Sequence, residues 1–180
     1  GLGAGTYELT ATDANNCSSA MEVEVQNAAG LNIDVALTDA GCKTTQGGVT
    51  VTAFEGQEPY EFKLGNAAFG PTNTFSGLAS GEYNLTVRDA TGCEVNQTLH
   101  VRSGVSFETS ISPIIKNKCA VSGCHNGTQA PDFRVFKNIH DNAAQVKTLT
   151  GNRTMPQQGS LTQNEIDLIA CWVDDGALQN

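Results

Sequence analysis

The residues best suited to chemistry are Cys119, Cys124 and His125, in the stretch C-A-V-S-G-C-H. Two thiols followed directly by an imidazole supply what covalent attachment of a c-type haem requires. The thiols bond to the two vinyl groups as thioethers and the imidazole ligates the iron. Adjacency of Cys124 and His125 is the specific part of the pattern. The common attachment motif has two residues between its cysteines. Here four intervene, so residues 120–123 must bulge away from the porphyrin edge. Two other readings compete. A zinc site would need a fourth ligand from His100, His140 or Cys171, and Cys119 and Cys124 could simply bond to each other.

A low-spin electron-transfer haem needs a second axial ligand. Met155 stands in R-T-M-P-Q-Q-G, on a loop just before the last helical segment, and the other methionine, Met21, lies in a β-like segment. Thioether ligation favours ferrous iron and raises the potential. The competing role for Met155 is core filler, and His140 is the alternative ligand, expected instead on an exposed helix face beside Asp141. One covalent haem held by Cys119, Cys124, His125 and Met155 is the expectation.

Helices must hold these residues. Ser110-Ile111-Ser112-Pro113 opens one, with the proline where a missing N–H costs little. A second is expected over residues 133–149. The third is best marked: Thr162 and Glu165 form a capping box, and Ile166, Ile169 and Val173 recur at helical spacing before Gly176.

The chain before residue 104 reads differently. Residues 1–17 match residues 77–93 without a gap, at an offset of 76, with Tyr7 on Tyr83, Leu9 on Leu85, Asp13 on Asp89 and Cys17 on Cys93. Residues 1–28 are thus expected to be the closing segment of one β repeat, and 29–103 a complete second one. Residues 104–180 are expected to form the haem domain. Alternating segments such as Val49-Thr50-Val51-Thr52 and Tyr83-Asn84-Leu85-Thr86-Val87, separated by Gly- and Asn-rich turns, predict an immunoglobulin-like sandwich of about seven strands. A Cys42–Cys93 disulfide would close a loop of about 50 residues and restrict the unfolded chain by roughly 4 kcal/mol. Cys17 is expected to pair with a cysteine of a preceding repeat, and Cys171 to sit as a small hydrophobe in a helix interior. A Cys17–Cys171 bond is the alternative.

Two resemblances follow from these residues. Residues 1–101, with their D-A-x-G-C ending, resemble the SprB-type repeats of gliding-motility adhesins, which implies an exported, load-bearing or spacing module at the cell surface. I-I-K-N-K-C-A-V-S-G-C-H-N-G, the M-P loop and E-I-D-L-I-A-C-W-V-D-D-G-A resemble the small monohaem class I cytochromes c over residues 107–177. That resemblance implies an all-α domain whose first and last helices cross beside the haem. It also implies a pocket supported by Ile115, Pro131, Pro156, Ile169 and Trp172, with Pro131 accepting from the His125 ring N–H. The fold class expected is therefore multidomain, β then α.

The formal net charge is -9. Residues 1–102 carry 4 basic and 12 acidic side chains against 6 and 7 in the remainder. An acidic face gains no counterion release from nucleic acid or anionic lipid, so neither is an expected partner. The longest apolar runs, such as residues 111–115, are far too short to cross a bilayer, and the chain opens on no basic, apolar leader. Six cysteines in Gly-, Thr- and Asn-rich surroundings favour an oxidising compartment, periplasmic or extracellular. No paired carboxylates, Ser-His-Asp set or phosphate loop is present, and Met155 fills the iron position that a peroxidase would leave open. The expected function is an exported electron carrier on a β-repeat stalk, with a redox protein or neighbouring haem protein as partner and self-assembly through the repeats. The alternative is an adhesive or filament-forming array whose haem is mainly structural or redox-sensing.

Overall fold

The computed structural model describes residues 5–25, 30–157 and 159–180. The expected boundary at residues 28 and 29 and the first four residues of the repeat match lie outside that range. β1 (Gly5–Thr12) and β2 (Ser18–Val25) form an antiparallel hairpin with Tyr7 opposite Val23 and Leu9 opposite Met21. Six further strands form two three-stranded sheets. β3 (Asn32–Thr38), β4 (Gly47–Phe54) and β6 (Thr74–Leu78) lie in the order β3-β4-β6. The second sheet has β5 (Glu61–Leu64), β7 (Gly81–Arg88) and β8 (Glu94–Val101) in the order β5-β7-β8. Alternation places Val49 and Val51 of the first sheet and Leu85, Val87, Leu99 and Val101 of the second in one buried cluster. Burial of these β-branched and leucine side chains holds the two layers together.

The hairpin turns of β1–β2 and β7–β8 are built alike. Asp13 accepts from the N–H groups of Asn15 and Cys17, and Asp89 from those of Thr91 and Cys93. Asp89 is buried and also accepts from Gln57 N–H, which ties the turn to the end of β4. The Gln57 bond, with help from Thr91, holds its carboxyl well below the ordinary 3.8, at about 2. A depressed carboxylate stabilises the fold above its ordinary value, and the contribution is lost as pH falls toward the folded value. The thermal midpoint of the β repeat is therefore expected to fall between pH 4 and about 2, and Asp89→Asn to flatten that region of the profile.

After Val101 the chain turns helical in short pieces: two wide π-helical turns, Phe107–Ile111 and Ile115–Cys119, flank α1 (Ser112–Ile114), and α2 (Phe136–Asp141), α3 (Ala143–Gly151) and α4 (Gln163–Asp174) follow. Their core buries Phe107, Ile111, Ile115, Ile139, Ile166, Ile169 and Trp172. Trp172 is fully buried, with Nε1 donating to Leu178 O and its ring 5.5 Å from that of Phe107. The capping box at Thr162 and Glu165 is formed as its spacing requires.

The expected fold class is corrected by these findings. The described residues are mostly β, eight strands in three small sheets, with helix confined to short segments. They do not form a seven-strand immunoglobulin-like sandwich followed by an all-α class I cytochrome c domain. Pro113 has no N–H to return to the preceding turn, and the flanking turns widen to five-residue bonds such as Ser112 N–H to Phe107 O. The helix expected over 133–149 begins later and breaks at Asn142. Its backbone leaves helical geometry there and its side chain donates to Asn138 O.

The expected Cys42–Cys93 disulfide is also corrected, because the structure joins Cys42 to Cys171. Cys42 lies in the loop after β3, where Ala40 N–H bonds to Arg102 O at the far end of β8, whereas Cys93 lies just before β8 begins. The eight residues of β8 put roughly 25 Å between the two ends, and disulfide geometry needs Cα atoms within about 7 Å. The junction has a second tie. The buried Asp175 carboxylate accepts from Ser103 N–H at 2.9 Å and from its hydroxyl at 2.6 Å.

Candidate functional site

The four residues between the cysteines fold into a turn closed by local hydrogen bonds. The second π-turn ends at Cys119, and Ala120 N–H bonds back to Ile115 O. His125 N–H then returns to Cys119 O at 3.1 Å and Cys124 N–H to Val121 O at 3.0 Å. Gly123 takes φ +80°, a conformation that residues with a Cβ rarely adopt, and this lets the loop fold back. Cys119 is buried, while Cys124 and His125 are half-buried.

The His125 ring is fixed from two directions. Its Nδ1 lies 3.0 Å from Pro131 O, and its face stacks on Phe133 at 4.5 Å between centroids and 27° between planes. Phe133 N–H also donates to His125 O at 2.8 Å. An Nδ1–H donated to a carbonyl leaves Nε2 as the free lone pair, the tautomer a metal requires.

Cys119, Cys124, His125, Pro131, Met155 and Pro156 all line one cavity of about 350 Å³. Its volume lies within the roughly 300–1,000 Å³ of cofactor and small-molecule sites. Phe133, Val146 and Leu149 supply apolar wall, and none of the three was singled out from the sequence. The Val146 and Leu149 spacing of three, on a helix facing the attachment motif, was the available signal. Ile115, Ile169 and Trp172 do not line the cavity; they are buried in the core to which Cys119 also belongs. His140 is exposed, 3.5 Å from Asp141, and lies outside the cavity.

Comparison with protein-family models, with curated proteins and with solved structures gave no match.

The chemistry of the site rests on its donor set. Burial, followed by the charges of Cys124 and Glu165, pushes the Cys119 thiol up to about 11, so it is protonated at neutral pH. Among the described residues no group of three or more His, Cys, Asp or Glu side chains gathers where it could hold a metal ion. A zinc ion would need four ligands from the chain. A haem iron needs only two, since the porphyrin supplies the rest. The residues present therefore fit a covalently held haem: two cysteines at one side of an apolar-walled cavity, one oriented imidazole and one thioether. Cys17 and Cys93 are exposed and make no disulfide, and neither belongs to the site.

Disulfide Cys42–Cys171 is compatible with an oxidising compartment. No helix among the described residues is long and apolar enough to cross a membrane.

Proposed function

We propose that the chain is an exported electron-transfer protein, periplasmic or at the cell surface, that carries one covalent c-type haem on a β-repeat stalk. The observation that carries this reading is the convergence of Cys119, Cys124, His125 and Met155 on a single cavity, with His125 Nδ1 already engaged by Pro131 O. When bound, the haem supplies a one-electron ferric/ferrous couple. Cys119 and Cys124 anchor it, His125 offers Nε2 and Met155 offers its sulfur. Phe133 and Pro131 hold the imidazole in one orientation, and Val146 and Leu149 exclude water along the apolar wall. Transfer without substrate turnover needs no general acid, base or nucleophile.

Carrier function over a structural role is favoured by the cavity margin. Cys124, Met155 and Pro156 are half-buried, and Gly123, Gln129 and Gln157 are exposed. A redox partner protein or a neighbouring haem protein can therefore approach the rim.

Protein produced with haem-attachment machinery is expected to gain the mass of one haem and to show a sharp low-spin reduced spectrum. Cys119 and Cys124 should then resist alkylation after denaturation and disulfide reduction. Recovery of both as alkylated cysteines would reject the covalent site. Rapid electron exchange with an electrode or a soluble cytochrome supports the carrier reading. Slow exchange by fully loaded protein would favour an adhesive array with a structural haem.

A further inference from the structure

Several hydrogen bonds converge on the peptide that presents Pro131 O to His125. The carbonyl oxygen lies 3.0 Å from His125 Nδ1. The next residue, Asp132, is held through both its main chain and its side chain. Its carbonyl accepts from Asn138 Nδ2 at 2.9 Å. Its carboxylate accepts from Arg134 N–H at 3.0 Å, from Nε at 2.9 Å and from Nη2 at 2.7 Å. Gly127 lets the turn after His125 close on this pair. At its φ of +92° a Cβ would stand 2.5 Å from Arg134 Nη2 and 3.3 Å from Asp132 Oδ2. Asn138 is itself placed by Asn142, which lines the cavity and whose side chain donates to Asn138 O at 2.8 Å.

Helix initiation does not account for these bonds. α2 begins at Phe136, and its N-cap residue, Val135, makes no side-chain capping bond. A carboxylate placed to start the helix would accept from N–H groups of its first turn. The Asp132 carboxylate is given to Arg134 instead, whose side-chain and backbone hydrogen bonds hold it at about 2, so it is ionised at neutral pH. Stability does not account for the ion pair either, because the Arg134 side chain is 61% exposed and pairs open to solvent contribute little. What the arrangement determines is direction. The Pro131 carbonyl shares a rigid peptide plane with Asp132 N and Cα, so fixing Asp132 on both sides fixes where that oxygen points.

We propose that Asp132 and Asn138 are positioning residues for the iron ligand: they hold the Pro131 carbonyl against His125 Nδ1 and so set the orientation and donor strength of the imidazole, and through it the potential of the haem. This rests on the haem reading of the site. A ring that donates Nδ1–H to a fixed carbonyl is a more basic ligand at Nε2, and a more basic ligand favours ferric iron. Release of either hold lets the carbonyl turn away, weakens the donor and raises the potential.

The test compares the full chain, with and without haem, as wild type, Asn138→Leu, Asp132→Ala and the control Lys137→Ala. Leucine keeps the volume of Asn138 but cannot donate, and it changes no charge, so its effect on the potential is free of a direct electrostatic contribution. Lys137 pairs with Asp141 on the exposed side of the same helix. In haem-free protein the His125 Nδ1–H signal, followed by NMR, is expected to exchange with solvent about tenfold faster in Asn138→Leu and Asp132→Ala, and at the wild-type rate in Lys137→Ala. In loaded protein the same two variants are expected to show a higher potential and shifted His125 ring protons, with the sulfur-to-iron band retained because Met155 is untouched. A lowered thermal midpoint with exchange, potential and ring shifts all at wild-type values would mean a structural role only and would overturn the proposal. Where Asp132→Ala does not fold, Arg134→Gln releases the carboxylate with Asp132 in place and is read in the same way. Wild-type protein that takes up no haem would overturn the haem reading and the effect on potential together, whereas unchanged exchange in haem-free Asn138→Leu overturns the positioning role alone.

Discussion

Replacing Met155 with alanine is expected to abolish the low-spin ferric spectrum and its weak near-infrared sulfur-to-iron band while leaving the haem covalently attached. Met155 is the methionine that lines the cavity with Cys119, Cys124 and His125; Met21 is 59% exposed on β2. Attachment survives because the two thiols act independently of the thioether. The potential should fall, since thioether ligation favours the ferrous state. His140→Ala is the control: His140 is exposed beside Asp141 and outside the cavity, so the spectrum should not change. A low-spin spectrum that persists in Met155→Ala and disappears in His140→Ala would assign the second ligand to histidine. Near-infrared absorption and a redox titration of the three proteins decide between them.

Legibility of the site in the sequence followed the range of the interactions. Near neighbours were readable because chemistry constrains them directly: Thr162 and Glu165, three apart, form the capping box that their spacing predicts, and Cys124, His125, Met155 and Pro156 line one cavity. The Asp89 turn was legible through its copy at Asp13, since a repeat carries the same local hydrogen bonds twice. Helix continuity was less legible. Pro113 and Asn142 both interrupt backbone pairing, and period alone does not reveal whether the chain bridges such an interruption or breaks there. Phe133 was missed because it reaches His125 by folding back after Pro131, and the seven residues 126–132 separate the two in sequence. The disulfide was read wrongly for a related reason. Loop-closure entropy made Cys42 and Cys93 a reasonable pair by separation alone, but strand direction puts them at opposite ends of β8. Cys171 looked like helix-interior filler, and it is indeed buried, yet its sulfur meets a different module.

That corrected pairing carries the largest expected effect on stability. Cys42 and Cys171 are 129 residues apart, and on the chain-entropy model a closed loop of that length restricts the unfolded state by about 5 kcal/mol. For a chain of this size the loss corresponds to a fall in Tm of roughly 10–20 °C. Cys171→Ala is expected to produce most of it, and Cys93→Ser almost none, because Cys93 is exposed and makes no disulfide within this chain. The reverse order would restore the pairing within the β repeat. Location of the damage is a further discriminator. Cys171 stands on α4 between Ala170 and the fully buried Trp172, and the neighbouring tie from Asp175 to Ser103 survives reduction. Reduction should therefore loosen the connection around Cys42 first, seen as faster hydrogen exchange around residues 40–44, while Ser103 N–H, still bonded to Asp175, stays protected. The attachment loop at 119–125 is held by its own backbone bonds, so the haem spectrum should stay unchanged until the module itself melts.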